Sequence, residues 1–269
     1  MDSFALAKLG WRNIWRNRRR TAITLSGITF GMMMAILFTG LGDSMYGGMI
    51  DQAARLGSGH VTLQHEQHMT SPSAKRFLTE TSALRTKVMA HLGVLAANPR
   101  IAGELMLAAG GESRGASFIG IDPRLETTET LSPVGAITAG KMFAHDDKRG
   151  VVLGATLARN LGVKVGRKVV YTLTDKTGEI VNGLLRVRGI VTTGADELDA
   201  ALCLVPLDLA RKALRYGHHD ATLLAVLISD QREAALVAGQ LRASLPVSVA
   251  AATWEESMPD LANLIAVDV

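Results

Sequence analysis

Cysteine is almost absent: Cys203 stands alone in 269 residues, so no intramolecular disulfide can form. A domain of this size needs none, because it can bury an adequate apolar core. Cys203 itself lies in the apolar run at 200–205 and reads as a small core residue. Long internal repeats and low-complexity tracts are also missing. So is any excess of positive charge beyond residue 20. Lys8 and five arginines face only Asp2 in residues 1–20, while the other 249 residues carry 23 basic and 24 acidic side chains. The net charge of +4 therefore belongs to the N-terminus, and nothing indicates a nucleic-acid-binding face.

Charge is missing altogether from residues 21–42, TAITLSGITFGMMMAILFTGLG. As a helix this run reaches roughly 33 Å, enough to cross a bilayer core. A signal peptide has a shorter apolar core of about 7–15 residues, so a retained transmembrane helix is expected over 21–43. Arg12, Arg16, Arg18, Arg19 and Arg20 precede the run and Asp43 follows it. Basic residues stay inside, which places the N-terminus in the cytoplasm and the chain after Tyr46 outside. Residues 4–20 read as an amphipathic helix on the inner membrane face. Trp11 and Trp15 contribute aromatic contacts, and Arg12, Arg16, Arg18, Arg19 and Arg20 meet anionic headgroups. Within the span, Gly27, Gly31 and Ala35 recur every four residues, a spacing that lets another helix approach closely.

Beyond the span, the helix is expected to continue as a stalk ending at Gly57 and Gly59. A half-buried strand follows at 60–65, then a helix at 82–97 that stops at Asn98 and Pro99. Strands at 101–109 and 115–121 meet at a Gly110–Gly111 turn, and strands at 169–174 and 179–193 flank a hairpin turn, DKTG. Further strands are expected at 150–154, 200–205, 222–229 and 247–253. Helices are expected at 155–161, 207–216 and 231–245, and from Trp254. The fold class is α+β: residues 44–121 and 222–255 form one subdomain, residues 122–221 a mostly-β insertion, and residues 256–269 a terminal stalk helix.

Three motifs mimic chemistry. GAITAGKM at 135–142 nearly spells a phosphate-binding loop, but Met142 replaces the hydroxyl that would hold Mg²⁺, and the segment reads as a turn. GESRG at 111–115 matches a nucleophile elbow around Ser113, yet another strand follows where a helix is required. His60, His65 and His68, the His218–His219–Asp220 turn, and the acidic loop of Asp196, Glu197 and Asp199 lack the spacing of any metal site. No catalytic residue, metal or cofactor is expected.

The ordered segments WRNIWRNRRR (11–20), TAITLSGITFG (21–31), GSGHVTL (57–63), FIGIDP (118–123), VLGATLA (152–158), LGVKVG (161–166) and TWEE (253–256) resemble the start of MacB/FtsX-type ABC transporter permeases. Among these they are most like the lipoprotein-releasing LolC/LolE branch. The resemblance implies a periplasmic domain in two parts, Porter-like and Sabre-like, at the inner membrane. It also implies a cytoplasmic ABC ATPase as partner, a second permease copy or paralogue, and a lipoprotein or other amphiphile as substrate. Family members have four spans. This chain carries one and reaches Val269 where the second should begin, as expected of a truncated form, a fragment or half of a split permease. The alternative is a single-span, membrane-anchored periplasmic ligand- or partner-binding protein, and a weaker third reading is an anchored hydrolase using Ser113.

Overall fold

A computed structural model of the protein describes Trp11 and residues 15–267. It divides into two units, residues 1–49 and 50–269. After a 3-10 turn at Trp15–Asn17, helix α1 runs Arg18–Ala53 for 36 residues, about 54 Å of helix. That is longer than the roughly 30 Å of a bilayer core. Its apolar side chains are open: Ile23, Phe30, Ile36 and Phe38 each expose more than 60% of their surface. Among the described residues it is the one helix long and apolar enough to cross a membrane.

In the second unit, a π-helical turn at Ala54–Ser58 leads into β1 (Val61–His65). Helix α2 (Thr81–Met89) and the long strand β2 (Val94–Ala109) follow. Near the other end come β9 (Leu223–Ile228), α6 (Ala234–Ser244) and β10 (Val249–Thr253). These strands pair antiparallel in the order β10-β1-β9-β2. Two β-α-β halves interleaved in this way form the split arrangement of a four-stranded sheet with helices on one face. Val61, Leu63, Leu224 and Val226 pack there with Leu84 and Val88 of α2 and Val237 and Leu241 of α6.

Between the two halves lie β3 (Glu112–Ile121), β4 (Ile137–Gly140), β5 (Gly150–Gly154), α3 (Ala155–Asn160), β6 (Lys168–Thr174) and β7 (Ile180–Val191). Then come α4 (Asp196–Ala201), β8 (Leu202–Pro206) and α5 (Leu207–Leu214). The ladder runs β2-β3-β8-β5-β7 and returns through β6 to β2, closing a six-stranded barrel. Closure removes exposed strand edges, which would otherwise template aggregation. β5 and β8 are covered on both faces. Val151, Leu153, Cys203 and Val205 enter one core, and Val152, Leu202 and Leu204 enter another. That is why their sequences are unbroken apolar runs without alternation. Burial pushes the Cys203 thiol up to about 12, so it is inert filling.

The β2–β3 hairpin closes at Gly110 and Gly111, with φ of 59° and 94°, the two left-handed positions of the tightest hairpin turn. The helix expected at 82–97 ends instead at Met89. Gly93 turns the chain with φ 82°, and residues 94–109 are one strand that runs straight through Pro99. Leu92 and Leu95, which extend the helical periodicity, are 96% and 63% exposed. The Arg100 carbonyl accepts from Thr222 N–H, so even-numbered backbone groups here face β9. The Pro99 nitrogen faces the other side, where β3 begins pairing only at Ile101. Residues 137–140, expected as part of a turn, form β4 against β7, and the expected acidic loop is the first turn of α4.

Candidate functional site

Arg100 lies on β2 and is 1% exposed. A charge this deep is tolerable only when paired and fully hydrogen-bonded. Its Nε donates to Glu126 Oε1 at 2.7 Å and its Nη2 to Glu126 Oε2 at 2.8 Å, a bidentate fork. Nη1 donates to the Gly57 carbonyl at 2.7 Å, and Nη2 also donates to the Thr130 carbonyl at 2.8 Å. Glu126 is completed by Asn98 Nδ2 at 3.1 Å and the Thr130 hydroxyl at 2.7 Å. One guanidinium thus ties together three segments: the π-helical turn after α1, strand β2, and the connector after β3.

Beside it, Gly59 has φ 81° and ψ 175°, a region essentially reserved for glycine. A Cβ there would sit 2.7 Å from both the backbone N and O of Val226. His60 follows and is buried. Its Nδ1 accepts from Ile228 N–H at 3.2 Å, which leaves the proton on Nε2, 3.3 Å from Asp51 Oδ1. Asp51 also pairs with Arg55 at 2.9 Å.

The exit from the sheet meets the entry. Trp254 N–H donates to the His60 carbonyl at 3.0 Å. A capping box of Thr253 and Glu256 starts helix α7 (Trp254–Ser257), and Arg242 of α6 grips Glu256 at 2.6 Å. Met258, together with Leu261 and Ile265 of α8 (Pro259–Val267), packs on the core that contains Ile50. A cleft of about 840 Å³ opens between Ala53 and the turn at Ala54–Ser58, the Gly103 and Phe118 region of the hairpin, and Met258.

A long exposed apolar helix thus runs into a two-part β domain whose entry and exit share one core. The family model described as MacB-like periplasmic core domain matches residues 21–244 of this chain. The chain belongs to that family. It is similar to the lipoprotein-releasing system transmembrane protein LolC of Neisseria meningitidis serogroup B, 30% identical over 152 residues, 54% of this chain and 36% of LolC. It is also similar to the pyoverdine export ATP-binding/permease protein PvdT of Pseudomonas entomophila, 27% identical over 232 residues, 82% of this chain and 33% of PvdT. The chain spans about a third of the length of each of these relatives. Its fold matches the periplasmic region of MacB from Actinobacillus actinomycetemcomitans, with a TM-score of 0.50 at 15% identity, over 77% of this chain and 94% of that one.

Within this MacB-like domain, the residues singled out by motif do not converge. Ser113 is the second residue of β3, paired with Ala108 beside the hairpin turn, with strand and not helix after it. His65 Nδ1 accepts from Gln67 N–H at 3.2 Å, and His68 Nδ1 contacts the Arg76 carbonyl at 3.1 Å, so each histidine has its own local partner. Asp199 Oδ1 accepts from the Thr193 N–H and hydroxyl at 3.0 and 2.8 Å, which fixes the turn before α4. Along α1, a Cβ at Gly27 or Gly31 would meet nothing within 4 Å. Arg16, Arg18, Arg19 and Arg20 are exposed, Trp11 is 66% exposed, and Arg12 and the Trp15 side chain lie outside the described residues. The Arg100–Glu126 fork carried no sequence signal, since nothing in a one-dimensional pattern pairs two residues 26 apart.

The histidine of this MacB-like junction sets a pH limit. Burial holds the His60 imidazole below its usual 6.5, with Asp51 pulling it up and Arg55 pushing it down. A base with a lowered folded pKa contributes stability that is complete above its unfolded pKa and is lost as pH falls below it. Thermal stability is therefore expected to fall as pH drops below about 6.5 toward the folded pKa, as the unfolded chain takes up a proton that the fold excludes. His60→Asn, which keeps an acceptor for Ile228 N–H, should flatten that limb in a melting-temperature series across pH 5–8. Equal pH slopes in the two proteins would remove His60 from this role.

Proposed function

We propose that this chain is the first-span and periplasmic portion of a permease subunit in a bacterial inner-membrane ABC transport system. In this reading a separate cytoplasmic ATPase hydrolyses ATP, and the chain carries the resulting motion to its periplasmic domain. That domain acts on a lipoprotein or another amphiphilic substrate. The observation that carries the reading is the family match, which begins at Thr21 inside the apolar helix and continues through the sheet domain. The core shared by Ile50 at the entry and by Met258, Leu261 and Ile265 at the exit supports it, because both ends of the domain are then tied to the same sheet.

On the same reading, Gly27, Gly31 and Ala35 form the face that meets a second permease copy or paralogue. Trp11, Arg12, Trp15, Arg16, Arg18, Arg19 and Arg20 hold the N-terminus on the cytoplasmic side. Residues 44–121 with 222–255 act as one subdomain and 122–221 as the other. The β2–β3 hairpin runs from the sheet into the barrel and links the two. The test is purification of the tagged protein from its native membranes in mild detergent. Recovery of an ABC ATPase with it is expected. Repeated recovery of the intact protein without any ATPase would favour a single-span, partner-binding protein instead.

A further inference from the structure

The barrel carries a concentration of positive charge that the transport reading does not use. A cavity of about 670 Å³ on its outer face is lined by Lys141, Lys148, Arg149, Lys168, Arg186 and Arg188, against only Asp146 and Asp147. Strand register brings these cations together. Lys168 stands directly opposite Arg186 across the β6–β7 pair. The Arg149 carbonyl accepts from Arg186 N–H at 2.7 Å, and Lys141 N–H donates to the Arg188 carbonyl at 3.0 Å. Like charges placed opposite one another weaken a sheet.

Several arginines elsewhere in the domain pair with carboxylates, as Arg100 does with Glu126 and Arg124 with Asp122. Here Arg188 takes Asp147 at 2.6 Å, and Arg186 Nη1 donates to the Gly166 carbonyl at 3.1 Å. Among the described residues, Lys141, Lys148, Arg149 and Lys168 form no ion pair with a carboxylate. Asp147 is already committed to Arg188 and to the N–H of Arg149. A second cavity of about 1220 Å³ shares Asp146, Asp147, Lys148, Arg149 and Leu184 and adds Lys212 together with Arg211, which pairs with Asp208 at 3.2 Å.

We propose that this cleft binds a phosphate-type polyanion, either a soluble polyphosphate or the phosphate of a lipid headgroup. Phosphate oxygens supply several acceptors at one centre, which suits a lysine ammonium and an arginine guanidinium converging from neighbouring strands. An anion held there also relieves the repulsion between Lys168 and Arg186, and so stabilises the barrel as it binds. The site does not depend on what the whole assembly transports.

The arginine run ahead of α1 attracts polyanions too, so the readout must be local. Asn182 is exposed and lines the second cavity. An Asn182→Cys protein takes one environment-sensitive dye there, because Cys203 is buried and its thiol stays protonated. With the full chain in phosphatidylcholine nanodiscs at low ionic strength, tripolyphosphate should give a saturable dye response. Lys168→Gln with Arg186→Gln should weaken it at least about tenfold. Lys75→Gln, an exposed lysine away from the cleft, should leave it unchanged. A response to phosphatidylglycerol vesicles, absent with phosphatidylcholine vesicles, assigns the site to a lipid headgroup. A response to tripolyphosphate alone assigns it to a soluble ligand. No saturable response, a change below about twofold in the double variant, or tighter binding of polyglutamate than of tripolyphosphate would overturn the proposal.

Discussion

Arg100→Met is expected to lower the stability of the sheet domain by about 3–5 kcal/mol, because it leaves the Glu126 carboxylate buried without its counter-charge. For a domain of this size that is a fall in Tm of roughly 6–20 °C. Glu126→Met should cost a similar amount from the other side, orphaning a guanidinium that is 1% exposed. The informative variant is the double, Arg100→Met with Glu126→Met. It removes both charges together and leaves the Gly57 and Thr130 carbonyls short of a donor and one Asn98 amide N–H short of an acceptor, at about 1–3 kcal/mol each, while the Thr130 hydroxyl keeps the Thr127 carbonyl at 3.3 Å. A double variant at least as stable as either single establishes a pair whose members need each other. Strictly additive losses would mean that Arg100 and Glu126 act independently, and the fork would lose its place as the joint.

Gly59→Ala is expected to cost about 3 kcal/mol or more, from two sources. The backbone at φ 81° and ψ 175° suits glycine alone, a strain of about 1–3 kcal/mol for any side chain. The new Cβ would also press within 2.7 Å of the Val226 backbone. Val226 belongs to central strand β9, and its carbonyl accepts from His60 N–H at 2.9 Å. That strand cannot give way without opening the sheet between β1 and β2. Gly111→Ala separates the two sources. Gly111 also has positive φ, 94°, but a Cβ there meets nothing within 4 Å. Its cost should stay near 1–2 kcal/mol. Melting curves of the two variants side by side check this, and equal losses would remove the backbone clash from the account.

Both effects fall at the place where the long apolar helix becomes a β domain, and both depend on partners distant in sequence. Arg100 meets Gly57 and Glu126, Gly59 meets Val226, and His60 meets Ile228 and Trp254. Together they fix the turn after α1 to the sheet at several points.

The sequence by itself determined the features that local physics sets. An uncharged run preceded by arginines and followed by Asp43 reads as a long helix, and Arg18–Ala53 forms one. Paired glycines at 110–111 close the β2–β3 hairpin, and DKTG at 175–178 closes β6–β7, because these residues accept the backbone angles that tight turns demand. Apolar runs at 150–154 and 202–206 became strands buried on both faces. Tertiary structure alone decided the rest. The helical periodicity of residues 82–97 runs on through Leu92 and Leu95, yet β9 offers a free ladder edge to residues 94–100, and inter-strand pairing outweighed weak local preference. Barrel closure through β6, the convergence of like charges on β6 and β7, and the burial of Arg100 against Glu126 all join residues far apart in the chain. Periodicity reports only which side of an element faces inward, and it is silent on which element lies opposite. The functional geometry of this domain is made of those opposite faces.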